Sequence, residues 1–230
     1  MASPLAGRLV LITSGPTREH LDPIRYLTNS SSGRTGVALA KAAAARGARV
    51  VVVSGPSELA FPPSITVVRV TTGLQMHAAV LRRAKRADVI IGAAAVSDWR
   101  FSKSSDRKIK RKPGALRLTL LPNPDIIKAA ARRRPKGRDQ IIVGFALETH
   151  DALSHAKQKL ERKGLDAVVV NGPSALAGKT SAAVLLLRGG AARNLGKGAK
   201  SAIARRIIKE VERIFERRTE GADAPVKKSR

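Results

Sequence analysis

A three-layer α/β sandwich, Rossmann-like, with one mostly parallel sheet and a small antiparallel addition or flap, is the fold that this sequence predicts. Two observations carry that prediction. Six short apolar runs rich in β-branched residues recur along the chain, and amphipathic segments with apolar spacing near 3.6 lie between them. Alternation of this kind places helices on both faces of a sheet whose strands run in parallel. At 230 residues, 43% of them hydrophobic, the chain has enough material for one closed core and little for two. The expected organisation is a single domain over residues 1–215 and a disordered basic tail over 216–230, where ERRTEGADAPVKKSR is polar and aperiodic.

The first strand is RLVLIT, from Arg8. It runs into a long loop, TSGPTREHLDPIRYLTNSSSGRTG, whose backbone groups must find partners outside a ladder. Such a loop is expected to hold something. The helix RTGVALAKAAAARG follows, then the strands ARVVVVSG and ITVVRV, the helix GLQMHAAVLRRAKR and the strand ADVIIGA. Beyond a long polar segment come the helix NPDIIKAAARRR, the strand QIIVGFA, the helix DALSHAKQKLERKG and the strand DAVVVN. LRLTLL and AAVLLLR have no helix of proper length before them, so they are assigned to the antiparallel addition or flap.

Composition narrows the function classes. Cysteine is absent, which excludes disulfides, thiolate metal sites and cysteine nucleophiles. The opening MASPLAGRLVLIT has too short an apolar run for a signal peptide, and no segment approaches a membrane span, so a cytoplasmic location is expected. A net charge of +27 invites a nucleic-acid partner. Against it, the cations are spread over many segments and only 3% of residues are aromatic, which leaves few rings to stack on bases. A solvated basic surface is the plainer account, and nucleic-acid binding stays as an alternative.

Ligands of a doubly wound sheet bind beyond the carboxyl ends of its strands. That rule gathers the opening loop, AAAVSDWR, the region of Phe145, and Asn171 around one crevice. A dinucleotide is the obvious tenant, but Gly15, Gly33 and Gly36 do not have the G-x-G-x-x-G spacing, and the second strand ends in Val53-Ser54-Gly55 with no acid for a ribose. An NAD(P)-dependent oxidoreductase is therefore the weakest alternative. SSSGRTG at a helix start still makes an anion site. Lys159 and Lys163 are four apart on one helical face with no acidic neighbour at helical spacing in that helix, whereas Lys157 has Glu161. A polyphosphate would relieve their repulsion, as would plain solvation. DRKIKRK, from Asp106 to Lys112, reads as part of a flap.

TREHLDPIRYLTNSSSG, AAAVSDW, KIKRK, NPDI, GFALET and AKQKLERKGLDAVVVN, in this order and at these separations, resemble phosphopantothenoylcysteine synthetase, the phosphopantothenate–cysteine ligase of coenzyme A biosynthesis. The similarity runs from about Arg8 to Asn171 and more weakly toward Phe215. Many bacterial members carry a fused flavin-dependent decarboxylase, and this chain resembles the ligase alone. The resemblance implies that CTP activates the carboxylate of 4'-phosphopantothenate as an acyl-cytidylate with release of pyrophosphate, Mg²⁺ assisting. L-cysteine then attacks through its amine, and CMP leaves.

Carried over by resemblance, the nucleotide lies against Ala94, Ala95, Asp98, the Asn123-Pro124-Asp125-Ile126 turn, Phe145, Lys159 and Lys163. Lys108, with Lys110, closes on the intermediate from the flap. Asn29 binds the intermediate and serves the cysteine step, and Arg25 meets the substrate's phosphate or carboxylate. Gly15, Ser32 and Gly33 belong to the anion-binding turn. Ordinary alternatives are a cap or turn role for Asn29 and Asp98, and a core role for Phe145. The metal ligands are left unassigned, and a homodimer is implied. The chain departs from the family pattern at Pro16, where glycine is usual, and in GPSALAGKTSAAVLLL after Asn171.

Overall fold

The computed structural model describes residues 2–111, 113–147, 151–172 and 180–222. The first half carries β1 (Leu9–Ser14), β2 (Arg18–His20), β3 (Tyr26–Thr28), α1 (Arg34–Ala44), β4 (Arg49–Ser54), β5 (Thr66–Arg69), α2 (Gly73–Ala84) and β6 (Val89–Gly92). The second carries β7 (Trp99–Phe101), β8 (Leu120–Pro122), α3 (Ile126–Arg132), β9 (Ile141–Leu147) and α4 (Ala152–Lys163). It closes with β10 (Ala167–Asn171), β11 (Thr180–Leu187), β12 (Ala192–Ala199) and α5 (Lys200–Ala222).

Eight strands form one sheet in the order β12-β11-β10-β9-β6-β1-β4-β5. The six strands from β10 to β5 are parallel, and β11 and β12 extend the sheet antiparallel at the β10 edge. The chain order reverses between β1 and β6, the switch point at which a crevice opens. All six anticipated strands are in the parallel set, and their side chains alternate between two cores. Val10, Ile12, Val89 and Ile91 face α1 and α5. Leu11, Ile90, Ile142 and Val168 face α2, α3 and α4. Two helical layers on a sheet buried on both sides explain why these strands read as continuous apolar runs.

Local signals fix the helix ends. Thr72 caps α2 in a capping box with Gln75, and α4 stops at Gly164 in the left-handed conformation. α1 docks unusually closely on β1: a Cβ on Gly36 would lie 2.1 Å from Ser14 Oγ.

The structure departs from expectation in four places. The long loop after β1 contains a hairpin, β2 paired with β3, so part of its backbone does find a ladder. Of LRLTLL, only Leu120 and Leu121 are strand, and they pair with β7 in a separate two-stranded sheet. β12 and α5 were not anticipated. α5 runs through to Ala222, so residues 216–222, expected as part of a disordered tail, are helical. The rest of the expected tail, 223–230, lies outside the described residues. α5 is amphipathic, burying Ile203, Ile207, Ile208, Val211, Ile214 and Phe215 against the sheet.

Candidate active site

A cleft of about 700 Å³ opens at the carboxyl ends of the central strands, on the switch point between β1 and β6. The segment after β1 forms one wall because it is stitched to the segment after β6. Gly15 O accepts from Ala95 N at 2.9 Å, Thr13 Oγ1 from Ala94 N at 3.2 Å, and Thr17 Oγ1 from Ser97 N at 3.0 Å. Asn29 Nδ2 donates to Val96 O at 2.9 Å. Its carboxamide therefore bridges the two segments, and the N-cap position of α1 belongs instead to Gly33, with φ 78°. A Cβ on Gly33 would meet Ser57 Oγ at 3.1 Å and Gly15 Cα at 3.5 Å, so the two glycines make the turn together.

The opposite wall comes from the start of α3 and from α4. Asp125 caps α3, accepting from Lys128 N at 3.1 Å, and pairs with Lys163 Nζ at 2.7 Å. Lys163 thus has an acidic neighbour from another helix, invisible at helical spacing within α4. Burial works to raise the Asp125 carboxyl, but the bond from Lys163, the cap bond and the charges of Lys163 and Lys159 outweigh it and hold its pKa below the ordinary value. Asn123 is fixed by its own backbone N–H to Asp98 O at 2.7 Å and by Nδ2 to Ser97 O at 2.9 Å.

The cleft brings together Asn29, Ser32, Gly33, Ala94, Ala95, Asp98, Asn123, Pro124, Asp125, Ile126, Phe145, Lys159 and Lys163. Gly15 lies beneath this lining. Three further anticipated residues, Arg25, Lys108 and Lys110, are not in it either. Arg25 is held by Asp22, with Nε and Nη2 at 3.1 and 2.5 Å from Oδ2, and its Nη2 also donates to Ile109 O at 2.9 Å. Asp22 Oδ2 in turn accepts from Ile109 N at 3.1 Å. The bond from Arg25 and three backbone N–H groups lower the Asp22 pKa against the effect of burial. Lys108 and Lys110 flank Ile109 and are exposed, so this clasp moors the midpoint of the basic segment outside the cleft.

Three buried polar atoms of the cleft lining, Ser32 Oγ, Asn123 Oδ1 and Asn171 Oδ1, have no hydrogen-bond partner among the described residues. Orphaned polar atoms around a cavity are what a polar ligand satisfies. Sequence pattern had brought Asn171 to the crevice without a role, and it missed Lys200 altogether because α5 was not foreseen. Lys200 is 8% exposed and lines the cleft. Burial, then the charge of Arg34, lowers its pKa. Among the described residues no cluster of three or more His, Asp or Glu could hold a metal by protein ligands alone. Asp98 is the carboxylate of the lining that no described residue binds, which fits a hard cation held chiefly by ligand phosphates. Of the quoted motifs, Glu148 and Thr149 lie outside the described residues, as does 173–179.

The family described as DNA/pantothenate metabolism flavoprotein C-terminal domain matches residues 5–215. The chain is 46% identical over 172 residues to the coenzyme A biosynthesis bifunctional protein CoaBC of Vibrio cholerae, covering 73% of this chain and 42% of that protein. It is 36% identical over 215 residues to the Bacillus subtilis protein of the same name, covering 91% and 52%. The chain thus spans about half the length of these relatives. The crystal structure of the C-terminal domain of a CoaBC protein superposes with a TM-score of 0.80 at 32% identity, covering 94% of this chain and 99% of that one. A Cab2 mutant in complex with phosphopantothenate-cysteine shares the fold, with a TM-score of 0.75 at 22% identity.

Proposed function

We propose, for a chain that belongs to the DNA/pantothenate metabolism flavoprotein C-terminal domain family, that the cleft joins 4'-phosphopantothenate to L-cysteine at the expense of CTP. The observation that carries this reading is the convergence of cations on a cavity whose buried Ser32, Asn123 and Asn171 oxygens lack partners among the described residues. Phosphates and a pantothenate-like amide would supply the missing partners.

The chemistry needs a leaving group more than a protein nucleophile. A carboxylate oxygen attacks the α-phosphorus and pyrophosphate departs; the cysteine amine then attacks the acyl carbon, loses a proton, and CMP departs with the former carboxylate oxygen. Positive charge around the phosphates stabilises both departures. Lys159 and Lys163, the latter oriented by Asp125, face the phosphates, and the small Ala94 and Ala95 admit the nucleotide close to the backbone. Asn29, fixed on Val96 O, presents its carboxamide oxygen to the intermediate. Mg²⁺, held by phosphate oxygens with Asp98, would spread the developing charge.

A homodimer is part of the proposal. Ile24, Tyr26, Trp99, Leu120 and Leu121 are exposed on the two hairpins, β2–β3 and β7–β8, or beside them. Such an apolar surface suits a second copy of this chain. The exposed Lys108 and Lys110 flank the mooring at Ile109. They are free to close on a bound intermediate once the segment shifts.

The test is product formation by purified protein with Mg²⁺, 4'-phosphopantothenate and L-cysteine, using CTP or ATP. Phosphopantothenoyl-cysteine made in equal amount to pyrophosphate, with CTP preferred, is the expected result. Folded protein that makes neither product with either nucleotide refutes the reading.

A further inference from the structure

Residues 102–119 connect β7 to β8, and their first part is the basic segment that carries Lys108 and Lys110. From Ser102 to Arg111 every residue is exposed except Ser105 and Ile109. Both are tied to one short stretch of the loop after β1. Ser105 N donates to Leu21 O at 2.9 Å, Ile109 N to Asp22 Oδ2 at 3.1 Å, and Arg25 Nη2 to Ile109 O at 2.9 Å. Ordering a polar segment of like charges is costly, and these bonds offset the cost.

Asp22 is the centre of the arrangement. It is 1% exposed and does not line the cleft. Its Oδ1 accepts from Ile24 N at 3.0 Å and Arg25 N at 2.8 Å, and its Oδ2 from Arg25 Nε at 3.1 Å, Arg25 Nη2 at 2.5 Å and Ile109 N. One carboxylate therefore fixes the turn before Arg25, the direction of the guanidinium and the path of the basic segment. The Arg25 side chain stays 45% exposed, and its Nη1 takes no part in the clasp, which leaves that edge for an anion. Because Ile109 is held through its backbone, the clasp sets the position from which Lys108 and Lys110 move and leaves their side chains free.

We propose that Asp22 is a positioning residue of the ligation: it couples Arg25 to the basic segment, so that capture of an anionic substrate by Arg25 and placement of Lys108 are one linked step. This inference rests on the ligase reading. A substrate phosphate or carboxylate on Nη1 shares the guanidinium with Asp22 and Ile109 O. By linkage, whatever that ligand does to the mooring of the segment, the mooring does to the affinity for the ligand.

Two substitutions open the clasp from its two sides. Asp22→Asn removes the charge and keeps the size, and Ile109→Pro removes only the N–H of the segment. Trypsin cleavage of native protein after Arg107, Lys110 and Arg111 is expected to be about tenfold faster in each variant than in wild type, with cleavage elsewhere unchanged. Asp22→Asn should also lower kcat about tenfold and raise the KM for 4'-phosphopantothenate more than that for CTP. In a Lys108→Gln background the same substitution should cost at most about twofold in kcat, because the segment it places has lost its working lysine; a merely structural aspartate would cost the same in both backgrounds. Equal cleavage of wild type and both variants, or kcat losses that multiply fully in the double variant, overturns the coupling and leaves the ligase reading standing. Wild-type protein that makes no phosphopantothenoyl-cysteine overturns both. If Asp22→Asn does not fold, Ile109→Pro decides: unchanged cleavage and kcat assign Asp22 to structure alone and overturn the proposal.

Discussion

Asn29 illustrates how little a single residue type says without its neighbours. Asparagine before a helix is a common cap, yet this one bonds to Val96 O across the crevice and leaves the cap position to Gly33. Removing its carboxamide should therefore affect geometry at the site more than the fold. Asn29→Ala is expected to lose about 100-fold in kcat, the scale of an ångström-level misplacement, and less than about 1 kcal/mol of stability for one exposed bond. Steady-state kinetics and urea unfolding check the two halves. Asp125 gives a second residue-scale prediction. Its folded pKa lies below 3.8, so its pairing contributes stability above that value, and the contribution is lost as pH falls through the lowered pKa. The urea midpoint of wild type should exceed that of Asp125→Asn at neutral pH, and the gap should close in acid. A gap independent of pH would contradict the pairing with Lys163. The partner itself was hidden in the sequence, because Asp125 and Lys163 are on different helices and meet only when α3 and α4 pack.

At the scale of elements, the six parallel strands were legible because a sheet buried on both faces leaves long β-branched runs. The hairpin β2–β3 and the strand β12 were not. β2 and β3 have three residues each, and β12 buries only Leu195 of ARNLGKGA. Short or polar strands at the margin of a fold owe their pairing to tertiary context that periodicity does not register. The close approach of α1 to β1 was equally hidden, although Gly36 marks it. Alanine ordinarily favours a helix over glycine by about 1 kcal/mol. At Gly36 the added Cβ would stand 2.1 Å from Ser14 Oγ and 2.4 Å from Ser14 Cβ. Overpacking between two rigid elements costs about 1–3 kcal/mol and should win. Gly36→Ala is expected to lower the denaturant midpoint, and an unchanged or raised midpoint would show that α1 can slide along β1.

For the whole molecule, the charge of +27 looked like a puzzle of function, and the placement of the acids changes its meaning. Glu19, Asp22, Asp166, Glu210 and Glu212 are buried, so five of the 17 acids are internal, which leaves the surface still more basic than the net charge suggests. Asp166 shows what such an acid does. It accepts from Ile142 N at 2.8 Å and joins Arg134 at 2.6 Å, Arg218 at 2.8 Å and Arg188 at 3.6 Å, tying α5 and the β11–β12 turn to the middle of the sheet. Asp166→Ala should cost about 3 kcal/mol, the lower end for breaking a buried pair, because its arginines keep contact with water. Thermal unfolding measures it, and a loss below 1 kcal/mol would mean that the hub is incidental. The chemistry at the switch point is read out by turnover of 4'-phosphopantothenate labelled with ¹⁸O in its carboxylate, with CTP and L-cysteine, followed by mass spectrometry of the CMP. One ¹⁸O atom is expected in each CMP, handed over when the acyl-cytidylate is cleaved. Unlabelled CMP, or label in inorganic phosphate, would contradict it.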